Sequence, residues 1–221
     1  MLNYFDSKAP IAFLSGDLPH WRQEGTTYFI TFRLADSLPQ EKLKLWREEQ
    51  KIWINSHPEP HKETTRLEYY ELFPQRLQQW LDAGSGSCVL ALPEIKHLVE
   101  DALRHFDGQR YRLHEFVIAP NHVHVLISPS GTHLVSEILH SWKSFTAHEI
   151  LKVEAATLRL QHTMLELRSQ SGSGVPPLSE QSRDGSATIH VWQKESFDHI
   201  VRNPASRERF RAYIRAHRTE Y

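Results

Sequence analysis

Residues 110–129 read RYRLHEFVIAPNHVHVLISP, and this stretch constrains the fold more than any other part of the chain. Two apolar runs rich in β-branched residues meet at Pro120 and Asn121. Each is too short for a buried helix, so the pattern predicts two strands joined at a tight corner and placed centrally in a sheet. Residues 26–34, TTYFITFRL, alternate Tyr28, Ile30, Phe32 and Leu34 against Thr27, Thr31 and Arg33, the period of a third strand.

Helical spacing fills much of the remainder. Leu43, Trp46 and Trp53 follow the turn signal at Asp36, Ser37 and Pro39. Pro93 opens a segment with Leu98, Val99, Ala102, Leu103 and Phe106 on one stripe, and residues 134–153 carry Leu134, Ile138, Trp142 and Phe145 at steps of three and four. Residues 56–92, with Pro58, Pro60 and the GSGSC turn at 84–88, read as a helical insertion. Residues 155–187 lose periodicity and end in a Ser-, Gly- and Pro-rich tract, which predicts a flexible insertion. Strand character returns at 187–192, and Asn203 with Pro204 starts a last helix. The order predicts one α+β domain over 1–221, a largely antiparallel sheet with helices on one face, ferredoxin-like in arrangement.

Composition excludes several classes. Hydrophobic residues at 39% and charged residues at 24% are those of a globular chain, and no apolar run is long enough for a bilayer, so no membrane partner is expected. Cys88 is the only cysteine and the first residues lack a secretory pattern, which predicts a cytoplasmic protein. Lysine and arginine (26) balance aspartate and glutamate (27), so any nucleic-acid signal must be local. Six arginines between 202 and 218 (Arg202, Arg207, Arg209, Arg211, Arg215 and Arg218), against the lone acid Glu208, supply one.

Fifteen histidines invite a search for metal ligands. His122 and His124, one residue apart on a strand, project from one face while Val123 and Val125 take the other, so the pair can chelate one divalent ion. Satisfied strand histidines are the plain alternative. Tyr213 and His217 share a face of the last helix, where they either belong to an apolar stripe with Phe210 and Ile214 or form part of a site.

Four strings in order, FVIAPNHVHVLISP, HSWKSFTAHEI, VWQKESFDHIVRNP and RFRAYIRAH, preceded by TYFITFRLADSLP, resemble the REP-associated tyrosine transposases. That family is related to the small single-strand transposases of insertion sequences. The resemblance implies an HUH endonuclease fold in which His122 and His124 bind magnesium or manganese. It also implies that Tyr213 is the nucleophile and that His217 takes the polar ligand position where the family usually has asparagine or glutamine.

The implied activity is nicking and joining of single-stranded or hairpin DNA at repeats through a 5′-phosphotyrosine. Trp142, Lys143, Trp192, Lys194, Arg202, Arg209 and Arg215 are the implied DNA contacts. The flexible insertion leaves the last helix free to serve its own site or that of a second copy, so monomer and homodimer both stay open. Two other classes fit the same residues: a hairpin-binding protein without catalysis, and a metal-dependent phosphoesterase using water.

Overall fold

The computed structural model describes residues 4–5, 12–14, 20–23, 25–58, 65, 68–69, 71–170 and 190–218. Within them four strands form an antiparallel sheet: β3 (Tyr28–Arg33), β4 (Tyr111–Ile118), β5 (His122–Pro129) and β6 (Phe197–Ile200), in the order β4-β5-β3-β6. Two short strands, β1 (Ala12–Leu14) and β2 (His20–Arg22), pair separately. The helices are α1 (Gln40–Ser56), α2 (Arg76–Asp82), α3 (Pro93–His105), α4 (Val135–Gln170) and α5 (Pro204–Arg218). The chain is α+β, as the sequence predicts.

Alternation gives the sheet two different faces. Ile30, Phe32, Val123, Val125 and Ile127 pack with Ile95, Val99 and Leu103 of α3 and with Ile138, Trp142 and Ile150 of α4 in the main core. Phe29, Val117 and Leu126 face the other way, where Ile214 of α5 joins them and Phe210 stacks on Phe29 with ring centroids 4.4 Å apart. α3 and α4 therefore cover one face, and the C-terminal helix lies across the opposite one, where the sequence pattern predicts helices on a single face. With both faces covered, every residue of β3 is buried, each large apolar side chain contributing about 1.5–3 kcal/mol.

α5 starts as its sequence dictates. Asn203 Oδ1 accepts from the Ser206 amide at 2.8 Å and Ser206 Oγ accepts from the Asn203 amide at 3.1 Å, a reciprocal cap. A second cluster joins Leu43, Trp46 and Trp53 of α1 to Phe73, Leu77 and Leu81. The region expected as an insertion thus anchors on α1 and carries α2 toward the sheet.

Three expectations about elements change. Residues 155–170 are helical, continuing α4 to Gln170, while 171–187 lie outside the described residues. The strand expected at 187–192 falls at Phe197–Ile200 instead; Trp192 makes a single bridge to Leu34, and 187–189 are outside the described residues. Leu134 and Phe145 are exposed rather than on the α4 core stripe, whose buried positions include Val135, Leu139 and Ile150. Periodicity defines a stripe but leaves its centre free to rotate by one residue.

Candidate metal centre

β5 places His122 and His124 on the face opposite the main core, and β3 pairs Thr31 with His124 and Arg33 with His122. Both imidazoles are fully buried. Asn121 Oδ1 lies 2.7 Å from His122 Nδ1, while the Asn121 amide nitrogen donates to Ser85 O at 2.8 Å. That second bond fixes which way the amide points, so His122 Nδ1 carries a proton and its Nε2 presents a lone pair.

The Gly-rich turn holding Ser85 is itself fixed. Gly86 has φ +94°, and a Cβ there would sit 2.6 Å from Asp36 O, so only glycine fits; the Ser87 amide donates to Asp36 Oδ2 at 2.7 Å. For His124, Nδ1 meets Thr31 Oγ1 at 2.8 Å and Nε2 accepts from the Gln78 amide at 2.9 Å. The two Nε2 atoms are 3.0 Å apart.

α2 supplies the third group. Leu77 and Leu81 bury one side of the helix, which turns Gln78 and Asp82 toward the histidines. Asp82, His122 and His124 offer ligand atoms that all lie within 4.8 Å of one another. Asp82 Oδ1 is 3.5 Å from His122 Nε2, and Oδ2 is 3.4 Å from the Tyr213 hydroxyl, which is also 3.3 Å from His124 Nε2.

These groups fit a divalent cation. Three acceptors converge on one point, and 3.0 Å between nitrogens is what two ligands about 2.1 Å from one ion need at a right angle. Burial, followed by the charge of His217, pushes the His122 imidazole down to about 3. Burial, then His122 and His217, pushes His124 well below the ordinary range. Both are therefore neutral, the ligating form, near pH 7. Nothing in the donor set selects one metal.

His217, expected as the third ligand, lies outside this group of three. Its Nδ1 donates to Tyr213 O at 3.0 Å, one turn back along α5, and its Nε2 reaches Asp82 Oδ1 at 3.3 Å. Asp82, absent from the ligands expected of the sequence, joins the histidine pair because α2 arrives from a segment whose position over the sheet no local pattern records. The pairing of Gln78 and Asp82 at i and i+4 beside buried Leu77 and Leu81 is the one signal that could have drawn attention to them.

The expected DNA contacts divide. Trp142 donates to Tyr111 O–H at 2.9 Å and Trp192 to Thr146 Oγ1 at 2.9 Å; both indoles are buried in the main core and present no face to a base. Lys143 donates to the carbonyls of Gln193 and Lys194 at 3.1 and 3.2 Å. Arg215, with Arg211 and Arg218, clasps the nearly buried Glu115 of β4, the Arg215 contact being 2.7 Å. Burial raises the Glu115 carboxyl, but the hydrogen bonds from Arg215 and Arg211 outweigh it and hold the group below the usual carboxylate range. Half of the basic stripe thus docks α5. Lys194, Arg202 and Arg209 are exposed.

No family model matches the chain, and no curated protein matches it. A solved structure of a REP-associated tyrosine transposase bound to a REP hairpin is similar over 90% of this chain and 68% of that one, with 12% identity and a TM-score of 0.37. Among the described residues no helix is long and apolar enough to cross a membrane.

Proposed function

We propose that the chain is a metal-dependent endonuclease of the tyrosine type that nicks and rejoins single-stranded DNA at repeat hairpins. The observation that carries the reading is the Tyr213 hydroxyl, held 3.3 Å from His124 Nε2 and 3.4 Å from Asp82 Oδ2, beside a histidine pair with its ligating nitrogens 3.0 Å apart. A phenol near neutral pH is a weak nucleophile unless a base or cation assists it; the Asp82 carboxylate is the adjacent base, and that carboxylate with the histidine pair would hold the cation.

His122, His124 and Asp82 would hold magnesium or manganese, with His217 orienting Asp82. The bound ion would polarise the scissile phosphate and offset the charge that develops on its oxygens. Asp82 Oδ2 takes the phenolic proton as the Tyr213 oxygen attacks phosphorus. The bond from phosphorus to the 3′-oxygen breaks, and that oxygen leaves as a 3′-hydroxyl with a proton from solvent. The product is a 5′-phosphotyrosine, and attack by a second 3′-hydroxyl reverses the step and joins strands without a further energy source. Gln78 covers His124 Nε2 and must swing aside for the ion. Lys194, Arg202 and Arg209 are the exposed cations proposed to follow the DNA backbone. The active species is either a monomer or a homodimer on this reading.

The test is incubation with labelled single-stranded hairpin DNA from the repeats flanking the gene, with manganese, followed by denaturing electrophoresis. A protein-linked band lost in Tyr213→Phe is expected. Hairpin binding without any covalent product would select the binding-module class, and nicking that survives Tyr213→Phe would select a phosphoesterase using water.

A further inference from the structure

Arg33 is 4% exposed, yet among the described residues it pairs with no carboxylate. Its Nη1 donates to Ser37 Oγ at 3.0 Å and toward Leu34 O at 3.4 Å. The donors on Nε and Nη2 have no protein acceptor among the described residues. A buried cation without an anion is costly, and an anion arriving from outside would offset that cost. Burial, then repulsion from Arg47 of α1, pushes the guanidinium down to about 10, so it remains charged at neutral pH.

Two other cations lie close enough to be felt, with the acid Glu195 beside them. Burial holds the Lys143 ammonium of α4 down to about 8, Glu195 opposing this and Arg33 adding to it. Arg33 thus feels one neighbouring cation and is felt by another, while its own polar contacts are neutral oxygens.

Register places the Arg33 backbone beside the metal centre, while its guanidinium rests on Ser37 Oγ. Arg33 is the ladder partner of His122 and shares its face of the sheet with Thr31 and His124. Directly opposed residues on antiparallel strands have Cα atoms about 4.5–5.5 Å apart, within the span of an arginine side chain. The planar guanidinium matches two oxygens of one phosphate better than a point charge does.

We propose that Arg33 is a phosphate clamp, a positioning residue that binds the non-bridging oxygens of the phosphodiester presented to His122, His124 and Asp82. The inference rests on the reading of a nucleic-acid phosphodiester as substrate. It assigns to β3, which contributes no metal ligand, the task of orienting the strand for Tyr213.

The test separates binding from chemistry. Fluorescence anisotropy with a single-stranded oligonucleotide in EDTA, over a salt series, is expected to show that Arg33→Gln weakens binding about tenfold. The slope of log affinity against log salt should fall by about 0.7, the value for one lost phosphate contact on a single strand. Arg33→Lys should keep the slope while losing part of the affinity. An unchanged slope and affinity in Arg33→Gln overturns the clamp. If Arg33→Gln does not fold, the Arg33 Nε–H resonance of the wild-type protein decides: a saturable shift on adding the oligonucleotide supports the proposal, and no shift at saturation overturns it. No covalent adduct together with an Arg33-dependent slope would sink the nicking reading alone. Adduct formation with an Arg33-independent slope would sink the clamp alone.

Discussion

The Tyr213 hydroxyl lies 3.4 Å from one carboxylate oxygen of Asp82, although 131 residues separate them in the chain. One residue belongs to the C-terminal helix and the other to a short helix anchored on α1, so the contact exists only when both dock on the face of the sheet opposite the main core. Tyr213→Phe removes the hydroxyl and leaves the ring against Phe29 and His124. The variant should bind manganese within about twofold of wild type and form no protein–DNA adduct. A persistent adduct on denaturing gels would move the nucleophile elsewhere.

Asn121 acts on the metal centre through His122. Asn121→Ala removes the acceptor at Nδ1 and the bond to the Ser85 carbonyl, leaving the imidazole free to rotate. Loss of such a partner costs about 10–100-fold in metal affinity. Calorimetric titration with manganese should show that loss while circular dichroism stays unchanged. Equal affinity would mean that packing alone orients His122.

Acid should destabilise the metal-free protein through the same histidines. His122 is held down to about 3 by burial and by the charge of His217, and His124 is lowered in the same direction. Between about pH 6.5, where the unfolded chain takes up these protons, and the lowered folded values, the unfolded state binds more protons. Stability is therefore complete above about pH 6.5 and falls as pH drops through that window, by up to about 1.4 kcal/mol per pH unit for each histidine. Urea midpoints in EDTA at pH 7.5 and pH 5 measure this, and equal midpoints would contradict neutral buried imidazoles.

Glu115 should matter for chemistry more than for metal binding. Three arginines of α5 share its carboxylate, while the proposed ligands belong to β5 and α2. Arg215 is about half exposed, so the clasp is worth less than a fully buried pair. Glu115→Gln should lower stability by about 1–2 kcal/mol in urea titration. The adduct-forming rate should fall at least fivefold, with manganese affinity little altered. A normal rate would show that Phe210 and Ile214 hold Tyr213 in place by packing alone.

Residues close in sequence carried much of this architecture on their own. Strand alternation puts His122 and His124 on one face and Val123 and Val125 on the other, and helical spacing aligns Tyr213 with His217. Such facts follow from backbone periods of about two and 3.6 residues, which any chain adopting those elements obeys. The cap at Asn203 belongs to the same class, since its partner is three residues away.

What covers each face was decided by tertiary structure alone. Asp82 and Gln78 reach the histidines because Leu77 and Leu81 dock α2 on α1. Arg215 turns to Glu115 because β4 lies beneath it, and Trp142 and Trp192 vanish into the core rather than meeting solvent. A periodic pattern records that a face is apolar or a side chain polar, but the partner's identity depends on the three-dimensional path of residues tens of positions away. That path is set by the summed packing of the whole chain, to which no local stretch of sequence gives access.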